Sequence, residues 1–190
     1  MAEPLFEEPF ADPSKLTRDW IVAPGMAVRD GVLVFAPGCD EGYCAGITRR
    51  DDFRDFSIKA DVRIVTGAVG LVLRAVAPDK YYMVQFDVAT NSSVVWFHTF
   101  TPSAERGYKL ELVRSALVPR VGDWYRMQVV VRGSVFDVLL GEPDSMPQHC
   151  ASWQDRDQTY MQGAVGVWEH GGERGEYRAL RVEALTTVDG

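Results

Sequence analysis

The side chains able to bind a ligand or move a proton fall on one parity of several short alternating segments. In 81–88, Tyr82, Val84, Phe86 and Val88 form an apolar set, leaving Tyr81, Met83, Gln85 and Asp87 on the other face. A period of two is the mark of a half-buried strand. The same reading of 70–76 turns Leu71, Leu73 and Ala75 inward and Arg74 outward, and that of 93–100 turns Val95, Phe97 and Thr99 inward and Trp96 and His98 outward. In 164–170, Val165 and Val167 suit a core, so Trp168 and His170 face out; Glu169 has inward parity but stands near the strand end.

Such a face suits a sugar. Trp and Tyr rings stack on the C–H faces of a pyranose, while Arg, Gln, Asp and His offer directional hydrogen bonds to hydroxyls. Arg74, Tyr81, Gln85, Trp96 and Trp168 are therefore the expected substrate-binding residues. Glycoside hydrolysis needs two carboxylates about 5–10 Å apart. Asp87 and Glu169 are the expected pair, with His98 and His170 as groups of suitable pKa for acid–base work. Competing readings put Trp96 and Trp168 in the core and give Asp87 a strand-end cap or an ion pair with Arg74. His149, in a Pro-containing loop, reads as solvated.

The elements that must carry these residues are many and short. Strands are expected at 31–36, 57–65, 70–76, 81–88, 93–100, 110–113, 124–131, 135–140, 164–170 and 177–185, with turn signals at 28–31, 77–80, 89–92, 120–123 and 132–134. The longest candidate helix is 152–162, whose mixed polarity suits a loop equally well. This spacing predicts an all-β, antiparallel two-sheet sandwich. No linker interrupts the chain, so 1–190 reads as a single domain with 1–13 as a terminal arm.

Composition excludes other classes. With 20 basic and 27 acidic residues the net charge is -7, which disfavours a nucleic-acid or anionic-membrane partner. No apolar run approaches the ~20 residues that span a bilayer, and the acidic start lacks the form of a signal peptide, so a cytoplasmic location is expected. Three cysteines, an odd count, fit a reducing compartment; Cys39 and Cys44 could bridge but are expected as free thiols. The acidic segment 169–176 could border a site or hold calcium through oxygens, and 51–55 could likewise hold calcium, although solvated turns explain both; no other cofactor is implied. Phosphate-binding Gly loops, HExxH helices and nucleophile elbows are missing from the sequence.

The order of the motifs adds a resemblance. Trp20 and Val28-Arg-Asp-Gly-Val-Leu33 come first, then Asp52-Phe-Arg-Asp-Phe56, Gly70-Leu-Val-Leu-Arg74, Tyr81-Tyr-Met-Val-Gln-Phe-Asp87 and Gly122-Asp-Trp124. The closing segment is Gly163-Ala-Val-Gly-Val-Trp-Glu-His-Gly171. This succession resembles the concanavalin A-like lectin/glucanase jelly rolls, most of all the 3-keto-disaccharide hydrolase domain family. Val165 and Val167 stand where that family's closing pattern has Ile and Leu, and His170 coincides with its His. The resemblance implies a jelly roll whose concave outer face is the carbohydrate site, and cleavage of a 3-keto sugar by proton abstraction beside the ketone. The laminarinase-type Glu-x-Asp-x-x-Glu strand is absent from the sequence. Expected functions are a glycoside hydrolase or lyase, a non-catalytic carbohydrate-binding module, or an accessory protein-interaction jelly roll. Sugar identity, linkage, metal dependence and oligomeric state are left open.

Overall fold

The structure, a computed structural model, describes residues 3–36, 43–88, 94–102, 104–111 and 118–185, with the backbone alone at 43 and 104–111. Its strands are β1 (Phe6–Glu8), β2 (Trp20–Ile21), β3 (Met26–Arg29), β4 (Val32–Phe35), β5 (Tyr43–Thr48), β6 (Phe56–Thr66), β7 (Ala68–Ala77) and β8 (Lys80–Asp87). The series continues with β9 (Val94–Thr101), β10 (Ala104–Glu111), β11 (Trp124–Arg132), β12 (Val135–Gly141), β13 (Gln148–Gln154), β14 (Ala164–His170) and β15 (Arg174–Ala184). One short helix, α1 (Ser14–Asp19), precedes β2.

Two antiparallel sheets form a jelly-roll sandwich. One runs β13-β12-β11-β6-β15-β4-β3, with β1 added on β15; the other runs β10-β9-β8-β7-β14-β5-β2. Alternation explains why they stack. On β6, Phe56, Ile58, Ala60, Val62 and Ile64 pack inward, as do Met127, Val129 and Val131 on β11 and Leu71, Leu73, Tyr82, Val84 and Phe86 from the second sheet. The other parity of β6 is charged and pairs across strands: Lys59 with Glu183 at 3.2 Å, Asp61 with Arg126 at 2.9 Å, and Arg63 with Glu176. The partly exposed Lys59–Glu183 pair contributes little stability, whereas Asp61 is buried and also pairs with Arg178 at 3.5 Å.

The second sheet differs because β7 and β8 carry apolar residues on both parities. A second cluster of Ala45, Ile47, Val72, Ala75, Tyr81, Met83, Phe100, Ala164 and Trp168 therefore covers part of its outer face. Within the segment expected as an arm, Phe6–Glu8 pair with β15 as β1, and Phe10 is buried with its ring 5.9 Å from that of Trp20. The segment 152–162 is not helical. It continues β13 and then turns, because the Asp155 carboxylate accepts from the Asp157 and Thr159 N–H groups and from the Tyr82 hydroxyl. Helical periodicity there was weak, and local side chain-to-backbone bonds of this type compete with a helix.

Cys150 is a free, buried thiol, whereas Cys44 is disulfide-bonded, against the expectation of free thiols. An odd cysteine count does not prevent two of the three from pairing. Cys39 and the turn expected at 89–92 lie outside the described residues.

Tyr177 of β15 joins the two layers. Its hydroxyl accepts from the Gly70 N–H at 3.2 Å and lies 2.8 Å from the Trp168 carbonyl and 3.0 Å from that of Gly70, fully enclosed in the core. Burial pushes its pKa up, so it stays protonated and able to donate. Tyr177→Phe keeps the ring but orphans these buried backbone groups. We expect a loss of about 1–3 kcal/mol, read from urea unfolding; a change below about 0.5 kcal/mol would show the hydroxyl to be idle.

Candidate functional site

A recess of about 290 Å³ opens on the outer face of the second sheet, lined by Gln85, Asp87, Trp96, His98, Trp168, His170 and Glu173. It spans four neighbouring strands, β9-β8-β7-β14. Strands β9, β8 and β14 each contribute two residues of one parity. Between them β7 contributes only small ones. Gly70 stands opposite Gln85 on one side and Trp168 on the other, and Ala68 stands opposite Asp87. A hollow exists here because the middle strand has almost no side chain on this face. A Cβ on Gly70 would come 3.1 Å from the Met83 sulfur.

Aromatic rings border the hollow in two rows set by the two-residue repeat. On β9, the rings of Trp96 and His98 are 5.8 Å apart and those of His98 and Phe100 are stacked at 5.7 Å; on β14, Trp168 and His170 are 5.8 Å apart. Gln85 and Asp87 stand between the rows. Among the described residues no Lys or Arg lines the recess.

Glu173 completes it from the segment joining β14 to β15. Gly171 (φ 50°) and Gly172 (φ 90°) both lie in the left-handed region, and the Glu173 N–H donates to the His170 carbonyl at 2.8 Å. Two such residues make a tight reversal that glycine reaches without strain. The reversal returns the chain over the sheet, where the Gln85 amide donates to the Glu173 carboxylate at 2.9 Å. Burial, reinforced by the negative charge of Asp87, holds the Glu173 carboxyl above the usual carboxylate range; His170 and the Gln85 hydrogen bond oppose this.

Six of the residues expected on the open face thus surround one recess: Gln85, Asp87, Trp96, His98, Trp168 and His170. Three others are placed elsewhere. Arg74 is 1% exposed and points into the end of the sandwich, because its φ of 49° and a register shift beyond Leu73 break the alternation of β7. Its guanidinium donates to the carbonyls of Arg54 (2.9 Å), Gly133 (2.6 Å) and Tyr160 (3.2 Å) and pairs with Asp55 at 3.1 Å. Tyr81 has the expected parity but sits against Phe100, ring centroids 4.6 Å apart, beyond the recess and almost fully buried. Glu169 is buried on the opposite face of β14 from Trp168 and His170, in register with Cys44, so it does not face Asp87 across the recess. Strict alternation accounts for that placement, and the carboxylate that approaches Asp87 is Glu173.

The sequence marks 169–176 as an acidic, glycine-rich turn able to border a site, but does not single out Glu173 within it. The legible signal was Gly171-Gly172, a pair that reverses the chain tightly and returns the following residue toward the preceding strand.

The calcium expectation finds no geometric support. Among the described residues no group of three or more His, Cys, Asp or Glu is arranged to hold a metal ion. In 51–55, Asp52 pairs with Arg50 at 2.6 Å, and Asp55 accepts from the Gly133 N–H and pairs with Arg74. Two larger hollows, of about 560 and 450 Å³, are edged by loop charges and exposed valines such as Val118 and Val65 and gather no such acid–base set.

No family model matches the sequence, and no curated protein matches it. Solved structures do match in fold. A carbohydrate-binding module, CBM66, from Bacillus subtilis is similar at 14% identity and TM-score 0.62, over 97% of this chain and 99% of that one. A β-1,3-1,4-glucanase (lichenase) from a mouse hindgut metagenome is similar at 13% identity and TM-score 0.62, over 95% and 99%. The GH43 BlXynB protein of Bacillus licheniformis is similar at 13% identity and TM-score 0.67, over 97% of this chain but 40% of its own. These neighbours share the two-sheet β-sandwich fold of this chain.

Proposed function

We propose that the recess binds a sugar or glycoside and that the protein cleaves it, as a hydrolase or lyase of the kind the 3-keto-disaccharide hydrolase resemblance implies. The observation that carries this reading is the convergence of two Trp rings, two His rings, Gln85 and two carboxylates around one hollow. A site of this make-up combines stacking faces for ring C–H groups with donors and acceptors for hydroxyls. Its volume lies at the lower end of ligand pockets, which suits a small sugar unit rather than a long chain. Asp87, His98 and His170 are the groups that would move protons within reach of the bound ring. The lichenase and GH43 neighbours support a carbohydrate-directed role at the level of fold. Plain sugar binding is the second reading, supported by the likeness to CBM66 along nearly the whole of both chains.

Titration of the protein's tryptophan fluorescence with a panel of monosaccharides and disaccharides, 3-keto sugars included, tests the binding claim. At least one sugar should quench or shift the emission saturably. His98→Ala and His170→Ala should each then lower turnover of that ligand's glycoside by about 100-fold or more while leaving its Kd within a few-fold. A panel that leaves the emission unchanged refutes sugar binding. Full turnover in both variants removes the histidines from the chemistry.

A further inference from the structure

We propose that Glu173 is the proton donor of a glycoside-hydrolysing pair, with Asp87 as its partner carboxylate. This inference rests on the sugar reading of the recess and gives it a reaction. Three features of the geometry support it. The Gly171-Gly172 reversal brings Glu173 into the lining of the recess, which it shares with Asp87 and the Trp and His rings. The Gln85 amide holds the carboxylate at 2.9 Å from β8, the strand that also carries Asp87, which fixes both acids to one rigid element. Burial and the charge of Asp87 hold the Glu173 carboxyl above the usual carboxylate range, the condition a proton donor needs.

The step balances with water as the only co-reactant. The protonated Glu173 carboxyl gives its proton to the glycosidic oxygen as the bond from that oxygen to the anomeric carbon breaks, its electron pair going to the oxygen. Water adds to the anomeric carbon and loses a proton to the Asp87 carboxylate. The products are a free sugar and an alcohol, and solvent exchange returns the proton to Glu173.

Leaving-group dependence tests the donor role, because a 2,4-dinitrophenolate departs without protonation and a phenolate does not. Phenyl and 2,4-dinitrophenyl glycosides of the sugars that perturb the tryptophan emission are assayed with the wild type and with Glu173→Gln. The expected result is a fall of about 100-fold or more on the phenyl glycoside and less than 10-fold on the dinitrophenyl one, with sugar affinity unchanged. Equal losses on both substrates, or no loss on either, overturn the assignment. So does a wild type that binds sugars yet hydrolyses neither class of glycoside, and this result leaves the binding reading intact. A wild type that binds no sugar overturns both.

Discussion

Replacing Arg74 by methionine should lower the unfolding free energy by about 3 kcal/mol or more, and the Tm by roughly 6–12 °C for a chain of this size. The side chain is 1% exposed and draws the carbonyls of Arg54, Gly133 and Tyr160 to one point. Those carbonyls come from the segment before β6, the β11–β12 turn and the loop after β13, so the guanidinium ties three connections at one end of the sandwich. Methionine matches its length but supplies no donor, and each orphaned buried acceptor costs about 1 kcal/mol or more. Lysine should recover little, since an ammonium lacks the planar fork that reaches several acceptors at once. Sugar affinity, measured below the transition, should be unchanged because Arg74 does not line the recess. A methionine variant within 0.5 kcal/mol of the wild type would show that the loops hold themselves.

Trp96→Ala should weaken sugar binding by about 10- to 100-fold, the range of a buried aromatic contact of some 1.4–2.8 kcal/mol, with little change in stability. Trp96 borders the recess and is only partly buried, and it belongs to neither apolar cluster. Its truncation therefore removes a stacking face without opening a core cavity. Trp168 is a poorer test. It packs in the outer-face cluster, so its truncation mixes binding with folding. Trp96→Phe, which keeps a smaller ring, should recover part of the affinity. Calorimetric titration decides the matter: an unchanged Kd in Trp96→Ala removes that ring from the site.

Legibility followed the strength of the periodic signal. Strands 57–65, 124–131 and 164–170 were readable because one parity is apolar and the other is not, and burial rewards only one way of facing them. β1, β2, β3, β5 and β13 were not read as strands, since two to seven residues of mixed polarity carry too little pattern; their pairing is settled by the strands they meet. The open-face residues on β8, β9 and β14 share a parity, and alternation alone places them together. Arg74 escaped the same rule because the register shifts beyond Leu73, where four steps along β7 face two along β8, and nothing in Gly70-Leu-Val-Leu-Arg74 announces it.

By itself, then, the sequence determined the sandwich, the faces of its longer strands, and a row of aromatic and polar side chains on one outer surface. These follow from the two-residue period, a local property of the backbone. Tertiary structure alone decided that β7 lies between β8 and β14, so that Ala68 and Gly70 leave a hollow between the rows. It also decided that Glu173, rather than Glu169, meets Asp87 there. Those outcomes depend on which strands become neighbours and on how one tight turn folds back, and contacts between distant segments have no period to be read.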